Sequence, residues 1–167
     1  DYVLEQYELG HKLVNGIPTK MLVDGQDPDK LFVERDILYL KDATETEDGG
    51  RMVIVLPKQN LSGAQEESVE FRKWLLSKVQ ITAIIDLPRE GFQPHTGTKT
   101  SLVFLKKVKN IPENYPIFMA VSEAVGHDRR GNPLYKKDAS GMNLLDDEGK
   151  EVIWNDLPQI YEQWVNY

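Results

Sequence analysis

The sequence predicts an α/β fold: parallel strands, one antiparallel strand and a C-terminal helical extension. Three observations carry this expectation. Two short apolar runs, RMVIVLP at 51–57 and QITAIIDL at 80–87, are each closed by a proline, as strands buried on both faces are. Between them, residues 67–79 place Phe71, Trp74, Leu75 and Val79 at helical spacing, so the two strands run parallel across a right-handed crossover. A third apolar run, KTSLVFLKK at 99–107, follows the helix-free loop 88–98. That short return sends it antiparallel to the second strand, so the parallel sheet ends in one antiparallel strand.

The remaining elements follow in order. Residues 1–28 read as an irregular segment with a short helix at its start, punctuated by Gly10, Gly16, Pro18, Gly25 and Pro28. A structureless stretch of that length is functional or disordered more often than a connector. Residues 29–43 read as a helix. Val33, Ile37 and Leu40 form its apolar stripe, Leu31 and Phe32 stand beside it, and Asp27 or Asp29 caps its start near Pro28. Residues 44–50 form an acidic turn ending in Gly49-Gly50, and 58–66 a polar loop. Residues 115–121 form a further strand, 126–137 a polar turn or hairpin, and 138–156 a mostly irregular stretch with a surface turn at 146–151. Leu157, Ile160, Tyr161, Trp164 and Val165 then recur at helical spacing in an amphipathic helix. No internal repeat is expected.

At 167 residues, the chain is long enough for one domain with a core of its own. Its 40% hydrophobic and 28% charged content excludes a collagen, a coiled coil and a mainly disordered chain. There is no cysteine, which excludes a disulfide scaffold, a cysteine zinc site and a cysteine nucleophile, and fits a reducing, cytoplasmic compartment. No apolar run reaches the roughly 18 residues of a membrane span, and no signal peptide is visible. The chain opens on Asp1 and closes at Tyr167 within an amphipathic run, so it reads as a piece of a longer protein. The net charge of −7 is uneven: −7 over residues 1–50, +5 over 51–142 and −5 over 143–167. An acidic chain is a poor general binder of nucleic acid, but a basic middle can meet phosphates.

Candidate chemistry concentrates in loop 88–98, PREGFQPHTGT. Phe92 lies there among Gly91, Gln93 and Pro94. Its ring either stacks on a planar ligand or folds back onto the core, and the bare residues favour the core. Arg89 and Lys99 flank the loop and either meet phosphates or stand as solvated charges. Asp86 closes the preceding strand, where a carboxylate caps a turn more often than it catalyses. His95 has no nucleophile or carboxylate at triad spacing. His11 and His127 read as surface residues. Glycine-rich phosphate loops, zinc-protease pairs and serine-hydrolase elbows are absent.

In order and spacing, GGRMVIVLPKQNL (49–61), FRKWLL (71–76) and IIDLPREGFQPHTGTKTSLVFLKK (84–107) resemble the N6-adenine DNA methyltransferases. Within that family they are most similar to the modification subunit of type I restriction-modification systems. YELGHK (7–12) resembles the loop after the family's catalytic tetrapeptide. LFVERDILYLKDA (31–43) resembles the helix before the Gly-Gly turn, and IFMAVSEAVGHDRRGNPLY (117–135) the later strand and glycine turn. The likeness spans about residues 5 to 137.

The resemblance implies the second half of a Rossmann-like, S-adenosylmethionine-dependent methyltransferase fold. Residues 1–28 would be the loop after the tetrapeptide, 29–125 the C-terminal half of the catalytic domain, and 126–167 a hairpin and terminal helix. In the family, a glycine-rich turn binds S-adenosylmethionine, and an Asn/Asp-Pro-Pro-aromatic tetrapeptide holds the amino group of an adenine flipped from the duplex. Neither motif occurs here, so this chain by itself is expected to bind no cofactor and to transfer no methyl group. The family's base-stacking aromatic falls on Phe92, which reverses the preference of the bare residues; the loop through Pro94, His95, Thr96 and Gly97 is longer than in some relatives. Implied partners are double-stranded DNA, a specificity subunit and, as a further member, a restriction subunit. Self-association through an exposed sheet edge is a risk. The alternative is a non-catalytic module on a degenerate methyltransferase fold that binds DNA or another subunit.

Overall fold

A computed structural model describes residues 2–167. They divide into two compact units: residues 2–84 with 102–117, and residues 85–101 with 118–167.

The first unit begins with two short 3-10 turns, Leu4–Gln6 and Glu8–Gly10. Strands β1 (His11–Val14) and β2 (Ile17–Leu22) then pair antiparallel, where the sequence reading expected an irregular segment. The signal is Asn15-Gly16. Both residues have positive φ, 53° and 75°, as a two-residue hairpin turn with the strands' own twist requires. A side chain at Gly16 would also run into the backbone of Lys73 and Trp74, 2.8 Å away. The Gly16 N–H donates to the Glu70 carboxylate at 2.7 Å, which fixes the hairpin tip on the following helices.

Helix α1 (Pro28–Tyr39) has Asp27 at its N-cap and proline in its first turn. It stops four residues short of the expected end. Leu40 is extended, and Lys41 instead accepts the Gly50 N–H at 2.8 Å, so residues 40–50 close a loop. Strand β3 (Arg51–Pro57) leads into a short helix α2 (Lys58–Ser62) in place of the expected polar loop. Arg72 caps that helix by donating to the carbonyls of Asn60 and Gly63 at 3.3 and 2.9 Å. Helix α3 (Glu66–Lys78) and strands β4 (Gln80–Asp86) and β5 (Thr100–Lys106) lie within one or two residues of expectation.

Strand β6 (Phe118–Val121) completes a four-stranded sheet in the order β3-β5-β4-β6. Gly49 and Lys107 exchange bonds at the start of β3 and the end of β5 (Gly49 N–H to Lys107 O, Lys107 N–H to Gly50 O), so this pair is antiparallel. Leu87 donates to Thr100 at the hairpin joining β4 to β5. Strands β3 and β4 are therefore parallel, as expected, but the antiparallel strand sits between them and not at the end of the sheet. Ser122 donates to Asp86 just past β6 and at the end of β4, which makes that outer pair parallel.

The core of the first unit is Val33 and Ile37 of α1 and Phe71, Trp74 and Leu75 of α3. They pack on Leu56, Val79, Ile81, Val103 and Leu105. Strand β3 is not buried on both faces as its composition suggested. Met52, Ile54 and Leu56 point inward, whereas Val53 and Val55 are 53% and 41% exposed.

In the second unit, residues 122–156 carry a repeat that composition does not reveal. Three segments, DRRGN at 128–132, DASGM at 138–142 and DDEGK at 146–150, fold into the same turn. In each, the Asp side chain accepts two backbone N–H groups, two and four residues on, at 2.8 to 3.0 Å. The glycine N–H returns to the Asp carbonyl at 3.0 Å in all three. Gly131, Gly141 and Gly149 have φ of 84°, 85° and 76°, the left-handed residue that closes a three-residue hairpin loop. The turns project from two closed triangles of backbone bonds. Gly126 donates to Trp154, Trp154 to Leu134 and Leu134 to Gly126; Lys136 donates to Val152, Val152 to Leu144 and Leu144 to Lys136. Helix α4 (Leu157–Val165) follows, with only Ile160 buried. The Asp156 carboxylate before it holds the N–H groups of Glu123 and Ala124 at 2.8 and 2.9 Å.

These turns set an acid limit. The Asn132 amide and neighbouring backbone donors hold the Asp128 carboxyl below its ordinary value, and the Ser140 hydroxyl with backbone donors does so for Asp138. A lowered folded value means that the unfolded chain takes up the proton first. The stabilisation is therefore complete above the ordinary carboxylate pKa of 3.8 and is lost as pH falls through the folded values. Amide exchange at Gly131 and Gly141 is expected to lose protection below that pH. Protection unchanged down to about pH 2 would mean that the carboxylates do not hold the turns.

Candidate nucleic-acid interface

Loop 88–99 belongs to the second unit and is fixed at its base. Buried Ser101 donates its hydroxyl to the Asp86 carboxylate at 2.6 Å, and the Leu87 N–H donates to Thr100 at 2.9 Å. Asp86 therefore ties the end of β4 to the start of β5, a structural use of the carboxylate. A 3-10 turn, Arg89–Phe92, follows Pro88. Gly91 donates to the Pro88 carbonyl, Gln93 to Glu90 and Thr96 to Phe92, each at 3.1 Å. A Cβ added at Gly91 would meet the Leu87 side chain at 3.5 Å, an ordinary contact. A cis peptide joins Gln93 to Pro94.

This framework holds Phe92 at the end of the turn with 38% of its surface exposed. The ring is not folded into the core cluster. Arg89 and Lys99 are exposed on the same loop, and neither forms an ion pair among the described residues. Gln93 Oε1 and Thr100 Oγ1 are buried and have no hydrogen-bond partner among the described residues. Buried polar atoms without partners are rare and call for an explanation; Gln93 directly follows Phe92, and Thr100 opens β5 at the far end of the loop. The arrangement offers a planar ring for stacking, two free cations for phosphate and two uncommitted polar atoms.

Two of the three histidines, His11 and His127, lie outside this loop. His95 is exposed on it. His127 is half-buried, with Nδ1 2.9 Å from the Asp128 carbonyl. His11 is not a simple surface residue: its Nδ1 is buried without a partner. It lines a cavity of about 440 Å³ in the first unit, together with Leu13, Met21, Lys30, Glu67 and Phe71.

Sequence reasoning missed a set of buried charges in the first unit. Lys30 is 2% exposed, 3.4 Å from Asp27 and bonded to Glu67. Glu34 accepts the Glu8 and Leu9 N–H groups, both at 2.8 Å. Burial raises its pKa against those two donors. Burial would raise Glu8 as well, but bonds from Lys78 and the Trp74 indole hold it below its ordinary value. An amphipathic pattern assigns charges to the solvent side, so nothing in the spacing flags these. No group of three or more acidic or histidine side chains among the described residues could hold a metal, and no described helix is long and apolar enough to cross a membrane.

Parallel strands with an antiparallel strand inserted between them, and α1 and α3 packed on one face, define an α/β fold of Rossmann-like methyltransferase type. The family model described as N-6 DNA methylase matches residues 30–150. The chain belongs to this family. Among solved structures it is similar to a protein provisionally assigned as a modification subunit of a type I restriction enzyme from Vibrio vulnificus. The identity there is 18%, with 76% of this chain and 31% of that one covered and a TM-score of 0.45. A protein provisionally assigned as a class I S-adenosylmethionine-dependent methyltransferase from Listeria monocytogenes is 17% identical, with 62% and 30% covered and a TM-score of 0.46. A chain of a type I restriction-modification assembly is 21% identical, with 70% and 22% covered and a TM-score of 0.43. The chain thus spans less than a third of the length of each of these structures. No curated protein matches it.

The ends of β3 and β4 do not form a cradle for S-adenosylmethionine. Strand β3 runs through Pro57 directly into α2, and β4 leads through Pro88 into a 3-10 turn. Neither strand end carries the glycine turn opening a helix that would bring backbone donors onto the cofactor.

Proposed function

We propose that the chain is the later half of the catalytic domain of an N6-adenine DNA methyltransferase, the modification subunit of a type I restriction-modification system. Residues 29–125 are its methyltransferase part and 126–167 an appended element. The observation that carries the reading is Phe92, an exposed ring on a hydrogen-bonded turn that follows β4, in a chain that belongs to a DNA methylase family.

In this reading Phe92 stacks on the target adenine once it has left the duplex, where its amino group is out of reach. Arg89 and Lys99 meet the DNA backbone on either side. S-adenosylmethionine binds to another part of the full-length protein, and this chain alone transfers nothing. A specificity subunit chooses the DNA site, and a restriction subunit is a further partner. Strand β3 heads the sheet order, so its open edge would let the isolated chain self-associate.

The test uses the intact polypeptide that contains this chain, with labelled S-adenosylmethionine and duplex DNA. Label on the N6 amino group of adenine is expected. Its absence from DNA, with cofactor bound, would favour the binding-module alternative. In the same preparation, Arg89→Gln and Lys99→Gln should each make the salt dependence of DNA binding shallower, by about 0.9 in log–log slope for each phosphate no longer neutralised. An unchanged slope would return that residue to solvated surface charge.

A further inference from the structure

The three D-x-x-G turns form an internal comparison. Their backbones and Asp anchors are the same, so whatever differs at the two tip positions is not demanded by the fold. The second turn carries Ala139-Ser140 and the third Asp147-Glu148. The first carries Arg129-Arg130, both exposed. Neither arginine forms an ion pair among the described residues, whereas Lys150 of the third turn is paired with Glu148 at 2.7 Å. The Asp128 carboxylate beneath them is committed to the Arg130 and Asn132 N–H groups and to the Asn132 amide, at 2.8, 2.9 and 3.1 Å. Around the tip, residues 126–137 have a net charge of +3 in a chain whose total is −7.

The geometry points to the Arg129-Arg130 tip as a second contact for DNA phosphates, distinct from loop 88–99. This rests on the DNA methyltransferase reading above. Guanidinium groups are suited to phosphate because their planar fork donates two parallel bonds. The tip is held by side-chain and backbone bonds before any ligand arrives, so little backbone order is lost on binding. A chain of net charge −7 repels a duplex overall, and two exposed arginines on a hydrogen-bonded turn oppose that locally.

The other two turns supply the variants. Arg129→Ala with Arg130→Ser gives the first turn the tip of the second, and Arg129→Asp with Arg130→Glu gives it the tip of the third. Both tips already fold on this backbone. The experiment measures binding of a duplex oligonucleotide by the intact polypeptide with its co-purifying subunits, between about 0.05 and 0.3 M salt. For the Ala-Ser variant, the log–log salt slope is expected to be shallower by about 1.8 and affinity to fall roughly tenfold or more at 0.15 M. The Asp-Glu variant is expected to bind more weakly still. Wild type that binds duplex, with both variants matching it in slope and affinity, overturns the proposal and leaves the methyltransferase reading standing. Wild type that neither binds nor methylates duplex overturns that reading, and this inference with it.

Discussion

Phe92→Ala in the intact protein is expected to lower methylation of duplex DNA by roughly 5- to 150-fold, the equivalent of about 1–3 kcal/mol of base stacking. Binding of S-adenosylmethionine is expected to stay within about twofold, because positions without shared partners act independently. The size of the effect follows from what the ring does in the proposed reaction. An adenine out of the duplex has lost its stacking on both neighbours, and an aromatic face replaces part of it. Phe92→Trp and Phe92→Tyr present similar faces and should retain most activity, which a purely steric role at this position would not predict.

Folding does not confound this experiment. Phe92 is absent from the core cluster and 38% exposed. The turn beneath it is closed by backbone bonds from Gly91, Gln93 and Thr96, which the substitution leaves in place. A folded Phe92→Ala protein that methylates at the wild-type rate would remove the stacking assignment. A parallel loss of cofactor binding would move Phe92 from the base to the framework.

The parts of this fold that were legible in the sequence are those set by apolar periodicity. Phe71, Trp74, Leu75 and Val79 marked α3, and proline-closed apolar runs marked β3 and β4. The position of β5 between β3 and β4 was not legible, because local sequence fixes a strand's direction through its connection and says nothing about its neighbour. Exposure of Val53 and Val55 was hidden for a similar reason: apolar composition reports what a strand tolerates, not what covers it. The β1–β2 hairpin was legible in principle from Asn15-Gly16 between short alternating runs, and was masked by the surrounding glycines and prolines. The D-x-x-G repeat escaped because its spacing alternates between ten and eight residues and its strands are bridges too short for a pattern. At the candidate site, the loop and its aromatic could be read from type and position. The partnerless Gln93 and Thr100 atoms depend on what the fold fails to bring near them, which no spacing records.

Trp74→Ala is expected to cost about 3–5 kcal/mol of stability, the range for removing a buried Trp or Phe side chain. Trp74 is 1% exposed, and its ring lies 6.3 Å from that of Phe71 at an interplanar angle of 22°. Its indole N–H donates to Glu8 at 2.7 Å, so the substitution removes both packing and a polar bond. Trp74→Phe separates them: it keeps most of the apolar packing and removes the donor, at about 1 kcal/mol. The second variant also carries a pH signature. Glu8 keeps a carboxyl below its ordinary value of 4.5, where bonds from Lys78 and Trp74 outweigh burial. Its contribution is therefore present above that pH and lost as pH falls through the folded value. The gap between wild type and Trp74→Phe in urea midpoints should narrow in acid, while the gap for Trp74→Ala stays mostly open, since apolar burial does not titrate. Equal narrowing for both would mean that the Glu8 bond, and not the packing of the indole, anchors α3. A loss below about 1 kcal/mol for Trp74→Ala would place the centre of the core elsewhere.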